Sequence, residues 1–195
     1  MPSPADLLRA VTRSRANYRA SYAIDLLCPI VIGYAGIRQA TAAAWPLMIA
    51  SAVTGVVAFS FIEYAIHRWL FHAATGAVGA MHQAHHDSPH GHTALPCITS
   101  AVVATVAWWI LSAATGSAIA CVFLCGLMSG YFYYAALHHL EHRVRQTALP
   151  FRWLQRRWAM HSVHHRLAHT NYGVTTSCWD HVFGTHYRSR SPHGS

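Results

Sequence analysis

Four apolar stretches alternate with polar, His- and Arg-rich segments along the chain. They cover about residues 22–37, 42–66, 98–114 and 117–137. A helix needs about 20 apolar residues to cross a bilayer, so the first stretch is short for a span. Only brief connections, near Gly36 and at Thr115-Gly116, separate the members of each pair. The pattern predicts an all-α integral membrane protein with four transmembrane helices, arranged as hairpins over 22–66 and 98–137.

This arrangement brings both chain ends and the histidine-rich segments to one side of the membrane. Residues 67–97 and 138–187 are then expected to form a helical cap on a single domain spanning 1–195. Arginines flank the spans on this side, whereas the opposite loops carry Arg38 alone. The positive-inside rule therefore predicts that the cap and both termini are cytoplasmic, at an inner (cytoplasmic) membrane. Residues 1–20 interleave four arginines with Leu7, Leu8 and Val11, which predicts an interfacial amphipathic helix.

Composition supports a membrane protein and argues against a soluble protein and against a nucleic-acid-binding protein. The chain is 53% hydrophobic and 10% charged, against roughly 25% charged residues in soluble domains. The net charge of +8 suggests nucleic acid at first sight. The arginines, however, lie beside apolar segments and form no single basic stripe, so we expect lipid headgroups and no nucleic acid as partners. The five cysteines show no C-x-x-C spacing, which favours small buried residues over disulfides.

Histidines carry the chemistry that the sequence suggests. Of 17 in the chain, ten occur at ligand-like spacings in two clusters, E-Y-A-I-H-R-W-L-F-H with H-Q-A-H-H, and H-H-L-E-H with H-S-V-H-H. These ten are His67, His72, His82, His85, His86, His138, His142, His161, His164 and His165. His139 is an alternative to its neighbour His138.

The spacing predicts how these side chains meet. Residues at i and i+3 or i+4 share one helical face, so two imidazoles can reach one metal ion. Adjacent residues diverge by about 100°, so His85-His86 and His164-His165 suit two metals lying side by side. His67 and His72 are separated by five positions, and a helix distortion or end between them would help both reach inward.

The ligand type narrows the choice of metal. Neutral imidazole suits iron, zinc, copper and nickel. A zinc hydrolase of the H-E-x-x-H kind needs a glutamate inside the motif, and structural zinc favours four ligands with cysteine. Ten imidazoles can supply two metals with about five each, so a redox dimetal site, di-iron above all, is favoured over structural zinc or a proton relay.

Two carboxylate residues are candidates for hydrogen bonds that orient the ligand histidines. Glu63 lies one turn before His67 and is expected to orient its imidazole, as outer carboxylates often do. Asp180 is expected either to serve His161 or His165 in the same way or to cap a turn.

Together these motifs resemble the fatty acid hydroxylase and sterol desaturase superfamily of membrane di-iron enzymes. The segment N-Y-G-V-T-T-S-C-W-D-H-V-F-G-T is similar to the one that follows the last histidine motif in its fatty acid 2-hydroxylase and sterol oxidase members. The resemblance covers about residues 60–187. It implies that the ten histidines hold two Fe ions, which zinc can replace in purified protein, with O2 as co-substrate. It also implies an external electron donor, a ferredoxin or a cytochrome with its reductase, because no cytochrome b5 segment is present.

The resemblance therefore implies an oxidoreductase that hydroxylates a C–H bond of a fatty acyl chain or lipid near its headgroup. A sterol or carotenoid hydroxylase or desaturase of the same superfamily is the first alternative. A non-catalytic metal-binding membrane protein, such as a transporter, is the second. A transporter should carry ionisable residues deep in its spans, whereas the clustered histidines here lie at their ends.

Overall fold

Helices make up the regular secondary structure of the computed structural model, which describes residues 3–73, 76–91 and 94–188. No strand occurs within these ranges, so the all-α class is confirmed there. The α-helices are α1 (Pro4–Thr12), α2 (Arg15–Ile37), α3 (Trp45–Ala65), α4 (Ala77–Asp87), α5 (Thr99–Thr115), α6 (Ser117–Arg143), α7 (Arg152–Arg166) and α8 (Cys178–Val182). Short 3-10 turns cover Ala42–Ala44 and Gln146–Ala148, and a π-helical turn covers Ile66–Phe71. Positions 74–75 and 92–93 of the expected cap lie outside the described residues.

Three helical runs within the described residues are long and apolar enough to cross a membrane. They are Arg15–Ile37, Ala42–Phe71 and Ser117–Arg143. The remaining predicted span, the third along the chain, forms α5, which is apolar but has only 17 residues. Three of the four expected spans therefore meet the length criterion, and α5 is a shorter apolar helix.

The N-terminal boundary differs from the one expected. The stretch 1–20 is not one helix, because α1 ends at Thr12 and α2 already begins at Arg15. Ser14 has extended backbone geometry, and its side chain accepts a hydrogen bond from Asn17 N at 3.0 Å. Such an N-cap satisfies a free N–H of the new helix and fixes its start.

The chain divides into two compact units. The first comprises Met1–Ser60 and His90–Ala136, and the second comprises Phe61–Pro89 and Leu137–Ser195. The first unit contains most of the apolar helical sequence. The second contains all ten clustered histidines.

Within the first unit, α3 and α6 touch backbone to backbone. A Cβ added to Gly126 would lie 2.0 Å from the carbonyl oxygen of Ala52, and one added to Gly55 would lie 2.1 Å from that of Phe123. Small residues at helix contacts are typical of membrane proteins, since they let helices approach closely.

Buried polar groups of α2 are paired with the segment that leads into α5. Asn17 Nδ2 donates to the carbonyl of Leu95 at 2.9 Å, and its Oδ1 accepts from Cys97 N at 2.8 Å. Ser100 Oγ donates to Asp25 Oδ1 at 2.5 Å. These bonds satisfy groups whose burial would otherwise be costly.

Large apolar side chains are exposed along the outer faces of these helices. Trp109 of α5 is 73% exposed, and Val31 of α2 and Ile49 of α3 are similarly uncovered. Large apolar side chains exposed in such number along apolar helices fit contact with lipid tails.

Candidate metal centre

Ten imidazoles converge in the second unit as two groups of five. Within each group the potential ligand atoms all lie within 4.8 Å of one another. The first histidine group consists of His67, His72, His82, His86 and His164. The second histidine group consists of His85, His138, His142, His161 and His165. Neither includes His139.

Ring nitrogens of the first group point at one another. His82 Nε2 lies 3.1 Å from His67 Nε2, 2.9 Å from His72 Nε2 and 3.1 Å from His86 Nε2. His72 Nε2 also lies 3.1 Å from His164 Nε2. All five Nε2 atoms thus face a common point.

A similar arrangement occurs in the second group. His142 Nε2 lies 3.1 Å from His138 Nε2 and 2.9 Å from His161 Nε2, and His161 Nε2 lies 3.1 Å from His165 Nε2. The His85 ring centroid is 4.6 Å from that of His142, and its buried Nε2 has no hydrogen-bond partner.

These spacings fit a metal ion. Imidazole nitrogens about 2.1 Å from an ion, at right angles to one another, are separated by about 3.0 Å. Hydrogen bonding does not account for the groups, because a pair of facing nitrogens can share only one proton. The Nδ1 atoms of His67 and His164 donate to backbone carbonyls, so in the neutral rings both Nε2 atoms carry lone pairs. A cation at the common point would satisfy them.

A π-helical turn brings His67 and His72 into one group. On a regular α-helix, residues five positions apart do not share a face. Ile66–Phe71, with i→i+5 hydrogen bonding, ends α3 and is followed directly by His72. The two ring centroids lie 5.1 Å apart. The helix distortion expected from the spacing is therefore present.

Helical geometry explains the division into groups. The i, i+4 pairs His82/His86, His138/His142 and His161/His165 each stay within one group. The adjacent pairs are split, with His86 and His164 in the first group and His85 and His165 in the second. Helices α4 and α7 thus each contribute to both groups, as expected from the angle between neighbouring residues.

One loop after α7 orients two imidazoles of the first group. The carbonyl of Tyr172 accepts from His67 Nδ1 at 2.5 Å, and that of Thr170 accepts from His164 Nδ1 at 2.8 Å. Between them Asn171 adopts a left-handed φ of 51°. Its side chain donates to the carbonyl of Met160 at 3.2 Å, which ties the loop to α7.

Glu63 binds this loop, and its hydrogen bonds go to Val174 and Thr175 rather than to the imidazole of His67. Its Oε1 accepts from Val174 N at 2.5 Å, and its Oε2 accepts from the hydroxyl of Thr175. The reason is that the Tyr172 carbonyl already occupies His67 Nδ1, while the buried loop N–H groups need acceptors of their own. The loop thus links the Glu63 carboxylate to His67 through the Tyr172 carbonyl.

Asp180 caps the same loop, which decides between its two expected roles. Its carboxylate accepts from Tyr172 N at 2.8 Å, Gly173 N at 2.9 Å and Thr185 Oγ1 at 2.7 Å. The carboxylate contacts neither His161 nor His165 through these bonds. A Cβ at Gly173 would lie 2.0 Å from the Thr176 carbonyl oxygen, so the tight turn requires glycine.

Glu141 is an acidic residue near the second group that the sequence analysis missed. It is buried, and its Oε2 lies 3.8 Å from Nδ1 of His161. The chain has only six acidic residues, and one of them stands inside H-H-L-E-H. That placement was the available signal.

Burial keeps clustered histidines that lie outside the apolar helical runs uncharged. It lowers the pKa of His82 and His165 to about 2, with further lowering by neighbouring imidazoles. Burial, with a smaller contribution from His86, lowers the pKa of His72 and His85 to about 4. At neutral pH these rings are therefore in the neutral form that binds metals.

Comparison with known proteins adds a family and several relatives. The sequence profile described as fatty acid hydroxylase matches residues 52–185, more than half of the chain. Dihydroceramide fatty acyl 2-hydroxylase FAH2 of Arabidopsis thaliana is 29% identical over 165 residues, covering 80% of this chain and 69% of that protein. Fatty acid 2-hydroxylase of Macaca fascicularis is 30% identical over 145 residues, covering 67% of this chain and 38% of that protein.

A solved structure shares the fold. Full-length scs7p, of which only the hydroxylase domain is visible, superposes with a TM-score of 0.77 at 20% identity. The match covers 100% of this chain and 75% of that one. A curated relative, the ceramide very long chain fatty acid hydroxylase scs7 of Schizosaccharomyces pombe, is 25% identical over 84% of this chain and 50% of its own length.

Proposed function

Because the chain belongs to the fatty acid hydroxylase family, we propose that it is a membrane oxidoreductase that uses two iron ions and O2 to hydroxylate an acyl chain. The family expected from the histidine motifs is confirmed by the profile match, and with it the class of lipid-hydroxylating enzyme. The observation that carries the iron proposal is the convergence of ten imidazoles into two groups of five.

In this proposal each histidine group holds one iron. His67, His72, His82, His86 and His164 hold the first, and His85, His138, His142, His161 and His165 hold the second. Bound iron would activate O2 with two electrons from an external donor, which is the chemistry that attack on an unactivated C–H bond requires. The overall change consumes the C–H bond, O2, two electrons and two protons, and yields an alcohol and water. Zinc can occupy the same nitrogens in purified protein.

The protein's contribution is to hold the imidazoles neutral and correctly turned. Tyr172 and Thr170 carbonyls fix which nitrogen of His67 and His164 carries the proton, leaving Nε2 free to bind the metal. Glu63 and Asp180 are positioning residues here, since both carboxylates hold the loop that presents those carbonyls.

The acyl carbon next to the carbonyl group is the proposed target. The Arabidopsis relatives are named for dihydroceramide fatty acyl 2-hydroxylation, and the yeast relative is named for ceramide. The location of the candidate ligands also suits hydroxylation of this carbon, because His67 and His142 lie near the ends of apolar helical runs. A lipid could keep its headgroup at the membrane surface while its first acyl carbons reach the metals. An N-acyl lipid of the ceramide type is therefore favoured over a sterol or carotenoid.

Orientation and electron supply complete the proposal. Arginines are concentrated beside the histidine-rich segments, which supports a cytoplasmic site at an inner membrane. A cytoplasmic site would be accessible to a ferredoxin or to a cytochrome with its reductase.

The direct test is lipid mass spectrometry of cells that express the chain or an inactive variant. We expect a gain of one oxygen in N-acyl lipids, on the acyl carbon next to the carbonyl, together with two irons per purified chain. A product lacking two hydrogens would indicate a desaturase, and an oxidised sterol or carotenoid would indicate the alternative substrate. Iron-loaded protein that consumes no O2 with any of these lipids would support the non-catalytic alternative.

A further inference from the structure

Glu141 and His161 form a buried polar pair beside the second histidine group. Glu141 lies on α6 and His161 on α7, and their side chains are 3% and 5% exposed. Neither carboxylate oxygen of Glu141 has a hydrogen-bond partner, and Nδ1 of His161 has none either. His161 Nδ1 lies 3.8 Å from Glu141 Oε2. A buried donor and a buried acceptor thus face each other just beyond bonding distance.

The first histidine group is supported differently. There His67 and His164 each donate through Nδ1 to a neutral backbone carbonyl. The two groups therefore match in ligand number and ligand type. They differ in the acceptors that face these particular imidazoles, which are backbone carbonyls for His67 and His164 and a carboxylate for His161.

A metal at Nε2 decides which atom of His161 carries the proton. When Nε2 of a neutral imidazole binds a metal, the proton must reside on Nδ1, which becomes a donor. Glu141 is the acceptor that faces it. A charged acceptor gives a stronger hydrogen bond than a carbonyl and makes the imidazole a more electron-rich ligand.

We propose that Glu141 is a positioning residue that forms a carboxylate–histidine–metal relay through His161, and that it makes the two metals unequal. The metal in the second histidine group is bound more tightly and is the more electron-rich of the two. This inference rests on the proposed function, since it requires a metal in each group.

The test is ⁵⁷Fe Mössbauer spectroscopy of the purified, anaerobically reduced full chain, with iron content measured in parallel. Wild type should give two doublets of equal area. Glu141→Gln keeps the shape but removes the negative charge, so it should shift one doublet and leave the other in place. One iron per chain should also be lost to a chelator about 10- to 100-fold more readily. Glu141→Asp, which keeps the charge, should restore part of the wild-type spectrum.

Asp25→Asn is the matched control. Asp25 is also a buried carboxylate, but its hydrogen bond comes from Ser100 in the first unit. It should leave both doublets and the retention of iron unchanged, whereas a purely structural effect of losing a buried charge would appear in both variants.

Several outcomes would overturn the inference. A single doublet in wild type would do so without any variant, even if Glu141→Gln fails to fold. Two bound irons with no response to Glu141→Gln, or with equal shifts of both doublets, would refute the relay while leaving the proposed function standing. Wild-type protein that binds no iron would instead refute the proposed function and this inference with it.

Discussion

The imidazole rings of His86 and His165 stack with centroids 4.2 Å apart and planes 24° from parallel. One ring belongs to the first histidine group and the other to the second. The two groups are therefore direct neighbours, and ions held in them would lie side by side. This contact supports a dinuclear centre over two unrelated metal sites.

Replacing His164 tests whether the first group is required. His164 is fully buried, its Nε2 faces His72 and its Nδ1 donates to the Thr170 carbonyl. His164→Ala should abolish lipid hydroxylation and lower bound iron from two toward one per chain, while the protein stays in the membrane. Lipid mass spectrometry and metal analysis measure both effects.

His181→Ala is the control for that experiment. His181 is exposed, belongs to neither group, and donates from Nδ1 to the Ser177 carbonyl. It should retain both irons and the activity. Equal loss in the two variants would show that His164 has no special role.

Removal of one hydroxyl tests the loop that presents the carbonyls. Thr175→Val keeps the volume but deletes a hydrogen bond to Glu63. We expect a loss of about 1–3 kcal/mol in the free energy of unfolding. We also expect the affinity for one of the two irons to fall by about 10-fold or more. Chelator competition monitored by iron content provides the measurement.

Thr105→Val makes the same chemical change on the exposed face of α5, where the hydroxyl donates to the Ala101 carbonyl of its own helix. It should leave the retention of both irons unchanged. If Thr175→Val and Thr105→Val behave alike, the loop does not position the first group.

The neutral histidines predict a pH dependence of the metal-free protein. In the unfolded chain histidine has a pKa of about 6.5, whereas burial lowers the pKa of His85 to about 4 and of His165 to about 2. Below about pH 6.5 the unfolded state therefore binds more protons than the folded state, and stability falls as pH decreases. Thermal unfolding at pH 7.5, 6 and 5 should show a falling midpoint.

Metal loading should raise the midpoint at each of these pH values, because bound ions favour the folded, neutral imidazoles. A midpoint of metal-free protein that is constant or rises toward pH 5 would contradict the neutral assignment.

A single methyl group tests the contact between α3 and α6. Alanine is favoured over glycine in a helix by about 1 kcal/mol, so Gly126→Ala would stabilise an isolated α6. In the protein the new Cβ would lie 2.0 Å from the Ala52 carbonyl oxygen, a backbone atom that cannot rotate away. We expect the clash to dominate and the unfolding temperature in detergent to fall. A rise would mean that the two helices are not in close contact.

Sequence reasoning worked best where helical geometry alone decides the outcome. Successive residues on a helix are rotated by about 100°. This angle alone predicts that His85 and His86 fall in different groups, and that the helix is distorted between His67 and His72. The partners of Glu63 could not be found this way, since Val174 is 111 positions away along the chain. Glu141 was missed for the same reason, because its neighbour His161 comes from another helix. The first apolar stretch is short for a span, but α2 extends it back to Arg15, whereas the third predicted span forms α5 with only 17 residues.

The loop that orients His67 lies more than a hundred residues after it in the chain. Its carbonyl at Tyr172 and its cap at Asp180 are among the last described parts to be synthesised. The ribosome thus delivers the apolar helices and all ten clustered histidines before the acceptor for His67 exists. In the proposed enzyme, His67 is therefore oriented for metal binding only after residues 172–180 have been translated.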